Sequence, residues 1–320
     1  MAKVSVIIPT HNRAQYLPVA IKSVLNQTFQ DFEIIVVDDA SSDNTADVAR
    51  SFTDSRIRFT RFDANRGGSA ARNQGILTAK SGYLAFLDDD DEWAPDKLAR
   101  QVHTLDEATE DVGAVYTGYI MVEPKEGRVV GRRIPVKRGN ILNDLLEGNC
   151  VGTTSTIMMR RVCFDRAGLF DETLPSFQDH DMWIRVAKFF RFECIVQPLV
   201  RYHVHDKKIW TNVEGLRKGM DRMLEKYGEH VAIRRSLSYG YVLVGVEYIA
   251  AGDTRKSRKV FLKAITLHPL ELRHYFNLAL SLFGKEFFWT VKRAKDAVLA
   301  PLRRRFRTVS EQWSDLHAKS

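Results

Sequence analysis

The segment Phe86-Leu87-Asp88-Asp89-Asp90-Asp91-Glu92-Trp93 sets five acidic side chains in a row at the end of an apolar run. Two unit charges ~4 Å apart repel by ~4 kcal/mol at an effective dielectric of ~20, so such a cluster either takes up a cation or splays into water. Carboxylate oxygens suit Mg2+ or Mn2+, which keep coordination positions for substrate phosphates. A calcium-binding EF-hand is excluded. Counted from Asp88, its sixth position is Trp93 where glycine is needed, and its twelfth is Ala99 rather than glutamate. A solvated acidic loop is the alternative, but the apolar run Tyr83-Leu84-Ala85-Phe86-Leu87 directly before the aspartates favours the metal.

The acidic run closes the fourth repeat of one pattern. Val4-Ser5-Val6-Ile7-Ile8 is a β-branched run stopped by Pro9, after which Leu17, Ile21, Val24 and Leu25 recur at helical spacing. Residues 33–37 form a second strand, followed by the polar turn Asp38 to Asp43 and a helix through Ala46 and Val48 that Ser42 or Asp43 caps. Residues 57–61 make a third strand, 69–79 a helix and 83–87 a fourth strand. Near-continuous apolar strands alternating with helices predict an α/β protein with a mostly parallel, Rossmann-like central sheet. Ligands of such sheets bind beyond the carboxyl ends of the strands, which singles out Pro9 to Asn12, Asp38 to Asp43, Asn65 to Gly68 and Asp88 to Glu92. Pro9-Thr10-His11-Asn12-Arg13 lacks the GxGxxG spacing, and no GxxxxGK[ST] occurs, so dinucleotide dehydrogenase and P-loop readings lose their support.

Beyond Glu110 the pattern loosens. Strands are predicted at 112–122, 153–159 and 194–202, an exposed hairpin segment at 128–135, and a helix at 179–190. After a loop at 204–212 everything reads as helix. Tyr241, Val244, Gly245, Tyr248, Gly252, Phe261, Ala264 and Pro269 fall at the spacings of a tetratricopeptide repeat, a helix-turn-helix of about 34 residues. One such unit cannot bury its own face. It must pack on the preceding domain, on the helix around residues 275–283, or on a protein partner. The chain thus divides into an α/β domain at 1–212, an all-helical extension at 213–284 and a basic tail at 285–320.

The 320 residues carry a formal net charge of +8. Met1 to Thr254 holds 33 basic and 35 acidic residues, whereas Arg255 to Ser320 holds 15 basic and 5 acidic, a net of +10. No nucleic-acid recognition motif accompanies that charge, so no nucleic-acid partner is expected. In residues 284–307, eight basic residues alternate with Phe287, Phe288, Trp289, Val291, Val298, Leu299 and Leu302, broken by Pro301. Each basic group near an anionic leaflet is worth ~1 kcal/mol, which predicts peripheral attachment to a membrane surface. A helix packed on the α/β domain with a solvated basic face is the alternative. Cys150, Cys163 and Cys194 show no CxxC spacing, no stretch reaches ~18 apolar residues, and no signal-peptide pattern opens the sequence. A cytoplasmic protein, attached at the inner face of the plasma membrane, is expected.

The succession Val4 to Arg13, Ser23 to Thr28, Val36 to Asp43, Ala71-Arg72-Asn73-Gln74-Gly75 and Phe86 to Trp93 resembles family 2 glycosyltransferases over roughly residues 4–205. The resemblance implies a GT-A fold, a nucleotide-diphosphate-sugar donor and a divalent metal, Mn2+ or Mg2+. It also implies inverting transfer to a glycan or lipid-linked acceptor in cell-surface polysaccharide or glycoconjugate synthesis. Asp39 is similar to the aspartate that hydrogen-bonds the donor base, and Pro9 and Thr10 would line the same pocket. Asp88-Asp89-Asp90 matches the family's DxD motif, with Asp88 and Asp90 as metal ligands, Asp90 preferred, and Asp89 reaching the ribose or a metal-bound water. Arg72 would meet the nucleotide or diphosphate, or else tie its helix to the acidic loop by a salt bridge. His205 lies where many relatives place a histidine closing over the diphosphate or metal.

An inverting transfer needs a carboxylate to take the acceptor hydroxyl's proton. Phe177-Gln178-Asp179-His180-Asp181 resembles the family's Glu-Asp-x-Asp helix start, with Gln178 in place of the glutamate. Asp179 is the implied base, a role compatible with capping the helix, and Asp181 is expected to be structural, paired with Arg185 four residues on. Gly152-Thr153-Thr154-Ser155 resembles a loop near the acceptor. Two other classes compete. A glycoside hydrolase pairing carboxylates such as Asp90 and Asp179 leaves the pocket at Asp39 unexplained. A non-catalytic scaffold with a degenerate domain is opposed by the intact acidic motifs.

Overall fold

The structure, a computed structural model, describes residues 1–123, 127–204 and 212–303. They fall into two compact units, which divide between residues 204 and 212.

The first unit opens with β1 (Val4–Thr10), α1 (Leu17–Leu25), β2 (Phe32–Asp38), α2 (Thr45–Arg50), β3 (Ile57–Arg61), α3 (Gly68–Thr78) and β4 (Tyr83–Phe86). These four strands pair in parallel in the order β3-β2-β1-β4, as the alternating pattern predicts. The register sets Thr10 beside Asp38, and the Leu87 amide donates to Ile7 O at 3.0 Å, so β1, β2 and β4 end along one edge of the sheet. Every side chain of β1 is buried, which is why its sequence is apolar without alternation.

The second half adds β5 (Glu92–Trp93), α4 (Lys97–Glu107), β6 (Val112–Val122), β7 (Val129–Arg133), α5 (Leu142–Glu147), β8 (Ile157–Arg160), α6 (Val162–Ala167), α7 (Gln178–Ala187) and β9 (Arg191–His203). Here β6 and β9 run parallel, but β4 with β8, β8 with β6, β6 with β7 and β5 with β9 are antiparallel. The sheet expected to be mostly parallel is therefore mixed, its parallel part confined largely to the first four strands. The strand predicted at 153–159 splits into a 3-10 turn, Thr154–Thr156, and β8. Its hydroxyls explain the break: Thr156 Oγ1 donates back to Thr153 O at 2.7 Å, while Thr154 and Ser155 turn their side chains to carboxylates. The helix at α2 starts later than predicted, with Asp43 Oδ1 accepting from the Thr45 amide at 3.0 Å.

The second unit consists of α8 (Val213–Tyr227), α9 (Val231–Ala250), α10 (Thr254–Leu267), α11 (Leu272–Leu282) and α12 (Gly284–Arg303). Asn212 and Asp253 cap α8 and α10 through their side chains. Tyr241, Val244, Phe261 and Ala264 of the repeat-like pair are fully buried. A Cβ on Gly245 would lie 2.3 Å from the Phe261 ring, so glycine is what lets α9 and α10 approach. The pair's apolar face is covered within its own unit, since α9 packs on α8, α10, α11 and α12. Among the described residues no helix is long and apolar enough to cross a membrane.

Gly75 performs the corresponding service between α3 and β1. A Cβ there would lie 2.4 Å from Ile7 Cγ2 and 3.2 Å from its Cβ, and Ile7 is a stiff, fully buried β-branched side chain. Alanine would otherwise favour a helix interior by ~0.5–1 kcal/mol over glycine. Overpacking outweighs that gain, so Gly75→Ala is expected to lower stability by about 1–3 kcal/mol in urea unfolding.

Candidate active site

Beyond the ends of β1 and β2, two loops are sewn together by short polar side chains. Asp38, fully buried, accepts from the Ser41 amide at 3.0 Å and pairs with Arg61 Nε at 3.4 Å. Asn12, at φ 52°, accepts from the Ser42 amide at 2.7 Å, and its own amide donates to Ser41 Oγ at 2.9 Å. Asp39 is almost completely buried, with the Arg66 amide on Oδ1 and the Gly67 amide on Oδ2, each at 2.7 Å. Its own amide donates to Thr10 O at 2.8 Å. The expected base-pocket residues Pro9, Thr10 and Asp39 thus lie side by side, and Asp39 also fixes the loop that leads into α3.

The acidic run is neutralised one residue at a time. Asp88 Oδ1 receives Arg72 Nη2 at 2.6 Å and Thr154 Oγ1 at 2.9 Å. Arg72 therefore forms the salt bridge between α3 and the acidic loop that was one of its two expected roles. Asp91 is buried, accepts from Ser155 Oγ at 2.6 Å and from the His203 amide at 3.3 Å, and burial raises its pKa well above the usual carboxylate value. His203 further places Nδ1 2.6 Å from Asp90 O and Nε2 3.1 Å from Glu92 Oε1. Asp89 is buried as well, and burial, reinforced by Asp90 and Asp88, pushes its pKa up to about 7. Asp90 faces Arg13, whose Nη2 lies 3.8 Å from Oδ2, and keeps a fifth of its side chain exposed.

Beneath this loop Trp93 Nε1 donates to Ser155 O at 2.9 Å. Lys97 stacks its amine over the Trp93 ring at 3.8 Å and reaches Gln101 Oε1 at 2.6 Å. Lys97 is entirely buried, and desolvation takes its pKa well below the ordinary lysine value. Gln101 in turn donates to Val115 O and Thr156 O, both at 3.0 Å. Sequence reading assigned Lys97, Gln101, Ser155 and His203 no role. The i, i+4 spacing of Lys97 and Gln101 and the hydroxyl run at 153–156 were the available signals.

Asp179 sits in the first turn of α7, after Phe177, which adopts φ 65°. Its Oδ1 accepts from the His180 amide at 2.7 Å and its Oδ2 from Asn149 Nδ2 at 3.1 Å. Asn149 is itself held, its Oδ1 accepting from the Gly152 amide at 2.9 Å. Burial raises the Asp179 pKa against the opposing His180 ring, the His180 amide and the Arg72 charge, while the Asp88 charge adds to the rise, so α7 brings this carboxylate within electrostatic reach of the acidic loop. Asp181 pairs with Arg185 at 2.9 Å, the expected i, i+4 contact. His205 lies outside the described residues.

Among the described residues no three His, Cys, Asp or Glu side chains converge as a ready-made metal cage. Mg2+ or Mn2+ takes one or two carboxylates and draws its remaining ligands from water and substrate phosphates. Of the three expected aspartates, Asp88 already serves Arg72 and Thr154 and Asp89 is buried, so Asp90, partly exposed at the loop's rim, fits that role best.

A mixed sheet with an acidic loop beyond its strand ends, followed by helices, is a GT-A fold with a helical extension. Residues 5–167 match the description Glycosyl transferase family 2. The chain belongs to that family. An uncharacterized glycosyltransferase of Rickettsia typhi is 32% identical over 215 residues, which is 63% of this chain, and the chain spans 64% of that relative's length. The Escherichia coli UDP-Glc:alpha-D-GlcNAc-diphosphoundecaprenol beta-1,3-glucosyltransferase WfgD is 26% identical over 249 residues, 76% of this chain and 94% of its own. Among solved structures, mannosyltransferase PcManGT from Pyrobaculum calidifontis, in complex with GDP-Man and Mn2+, matches with a TM-score of 0.57 and 18% identity, covering 95% of this chain and 87% of its own. The last likeness is one of fold.

Removing the Asp39 carboxylate leaves the Arg66 and Gly67 amides without their charged acceptor. Hydrogen bonds to a charged acceptor contribute ~1.5–3 kcal/mol each. Asp39→Ala is expected to destabilise the protein by at least about 2 kcal/mol in chemical unfolding. Hydrogen exchange at the Arg66 and Gly67 amides should rise selectively.

Proposed function

We propose that the chain transfers a sugar, with inversion at the anomeric carbon, from a nucleoside-diphosphate sugar to a hydroxyl of a glycan or lipid-linked acceptor. The observation that carries this reading is the setting of Asp179: a half-buried carboxylate of raised proton affinity, oriented by Asn149 and within electrostatic reach of Arg72 and Asp88. In the reaction the acceptor oxygen bonds to the anomeric carbon as the bond to the diphosphate breaks, and Asp179 takes the hydroxyl proton. The raised pKa makes it the stronger base, and the Asn149 amide holds Oδ2 in place.

Pro9, Thr10 and Asp39 form the side of the site that receives the donor's base. Asp89 would reach the ribose or a metal-bound water, and His205, outside the described residues, would meet the diphosphate or the metal. Asp90, with Asp88 next to it, would hold the divalent cation. Bound there, Mn2+ or Mg2+ supplies positive charge against the leaving diphosphate. Arg72 keeps Asp88 in position and its charge near the same group. Support for a nucleotide-sugar donor and Mn2+ comes from the likeness to PcManGT, and for a lipid-linked acceptor from the likeness to WfgD. The net +10 of Arg255 to Ser320 holds the enzyme at an anionic membrane surface, where such acceptors reside.

The test is a screen of nucleotide sugars for transfer and donor hydrolysis. Asp179→Asn should lower kcat by ~10² to 10⁴-fold while leaving the unfolding midpoint close to that of the wild type. Because the folded pKa of Asp179 is raised, the rate should fall on acidification already above the ordinary carboxylate range near ~3.9, as the base becomes protonated. An unimpaired Asn variant removes Asp179 from the mechanism. In a separate series, chelation by EDTA should abolish transfer and added Mn2+ or Mg2+ restore it; turnover that persists in EDTA overturns the metal assignment.

A further inference from the structure

The helix α11 is built inside out. The side chains it buries are His274, Asn277, Leu280 and Ser281, three of them polar. Its outward side carries Leu272, Tyr275, Ala279 and Leu282, continued by Phe283, at spacings that form one helical stripe. Leu272 is 78% exposed, Leu282 61% and Phe283 68%. Past Gly284 the stripe is extended by Phe287, whose ring lies 4.9 Å from that of Phe283. A helix on a globular protein ordinarily turns its apolar stripe inward.

Hydrogen bonds hold α11 in this rotation. His274 Nε2 meets Ser238 Oγ on α9 at 3.0 Å, and Arg258 of α10 donates through Nη2 to Ser281 O at 3.1 Å. Turning the apolar side inward would break both contacts and bury no polar partner in exchange. The outward stripe is therefore a property of the packed unit, and it is of a kind that marks an interaction surface.

We propose that this stripe inserts into the headgroup and acyl boundary of an anionic lipid surface, with α11 lying in the plane of the interface. The proposal deepens the membrane attachment given under the proposed function and rests on it: the basic tail attracts, and α11 supplies the apolar contact. Charge selects the occupant. From Arg255 to Arg293 there are nine basic residues against Glu271 and Glu286, and Arg273, which pairs with Glu271, and Lys285 are exposed next to the stripe in sequence. A second copy docked face to face would bring two segments of net +10 together, whereas an anionic leaflet offers opposite charge next to an apolar layer.

The experiment is co-sedimentation of the full chain with vesicles of phosphatidylcholine alone or mixed equally with phosphatidylglycerol, at low and high salt and without donor sugar. The combined variant Leu272→Ser, Leu282→Ser and Phe283→Ser should bind the anionic vesicles roughly tenfold or more weakly than the wild type, and high salt should erase what remains. These positions are exposed, so circular dichroism should show an unchanged fold. Wild-type binding by the variant overturns the proposal. So does a wild-type dimer in sedimentation velocity that the variant dissolves while vesicle binding stays the same, which would make the occupant a second copy. Nucleotide-sugar binding without vesicles is read in parallel: its absence in the wild type defeats the transferase reading and leaves the vesicle result to decide this one.

Discussion

Four consecutive aspartates and a glutamate at the end of a buried strand repel one another, and the first unit is organised around relieving that repulsion. Each carboxylate recruits a partner from a different part of the chain. Asp88 takes Arg72 from α3 and Thr154 from the 3-10 turn, Asp91 takes Ser155 and the His203 amide, and Glu92 takes the His203 ring. In satisfying them the chain ties α3, the turn before β8 and the end of β9 to one short loop. Asp90 is left at the rim, facing Arg13. A divalent cation and a diphosphate together would complete the neutralisation there, so the same electrostatic demand that closes the fold also defines what the site can accept.

The loops around this cluster are held under local strain. Asn12, Ala40 and Phe177 are the described non-glycine residues with positive φ, at 52°, 58° and 65°. Asn12 and Ala40 flank the polar stitching beyond β1 and β2, and Phe177 opens the helix that carries Asp179. Such conformations cost ~1–3 kcal/mol each and persist only where the surroundings fix them. The surroundings here are Ser41, Ser42, Asp39 and the Asp181 amide donating to Phe177 O at 2.9 Å. The strain sits where side chains must be presented at fixed angles and is absent from the strands behind them.

The first four strands were legible because a sheet buried on both faces demands continuous apolar runs, and β1, β2 and β4 have them. The acidic loop was legible because five charges after such a run need an explanation wherever they occur. The second half was less so. Its antiparallel pairings join segments far apart in sequence, and the hydroxyl run before β8 has strand-like composition but spends its polar groups on carboxylates. Asp179 is singled out by resemblance to a family motif, since its sequence neighbours read as those of any aspartate at a helix start. What the fold adds around it is partial burial, the Asn149 contact from 30 residues away, and the Arg72 and Asp88 charges. Lys97 was missed for the opposite reason: a lysine in an amphipathic helix reads as surface, and here it lies buried over Trp93.

The division of charge along the chain follows from the chemistry proposed for it. A site that must attract a cation needs excess carboxylate, and an anionic leaflet would repel such a cluster if attachment depended on the same surface. Placing the positive charge in Arg255 to Ser320 separates the two demands: the first 254 residues stay near neutrality at a net of −2, and the proposed attraction to the leaflet falls to the C-terminal segment. Surface charge alone, however, gives attachment that salt screens within a Debye length of ~8 Å under physiological conditions. An apolar stripe on α11 adds a contact that salt does not weaken. For an enzyme whose acceptor is tethered to lipid, confinement to the surface raises the effective acceptor concentration, which is where a weak acceptor site gains most.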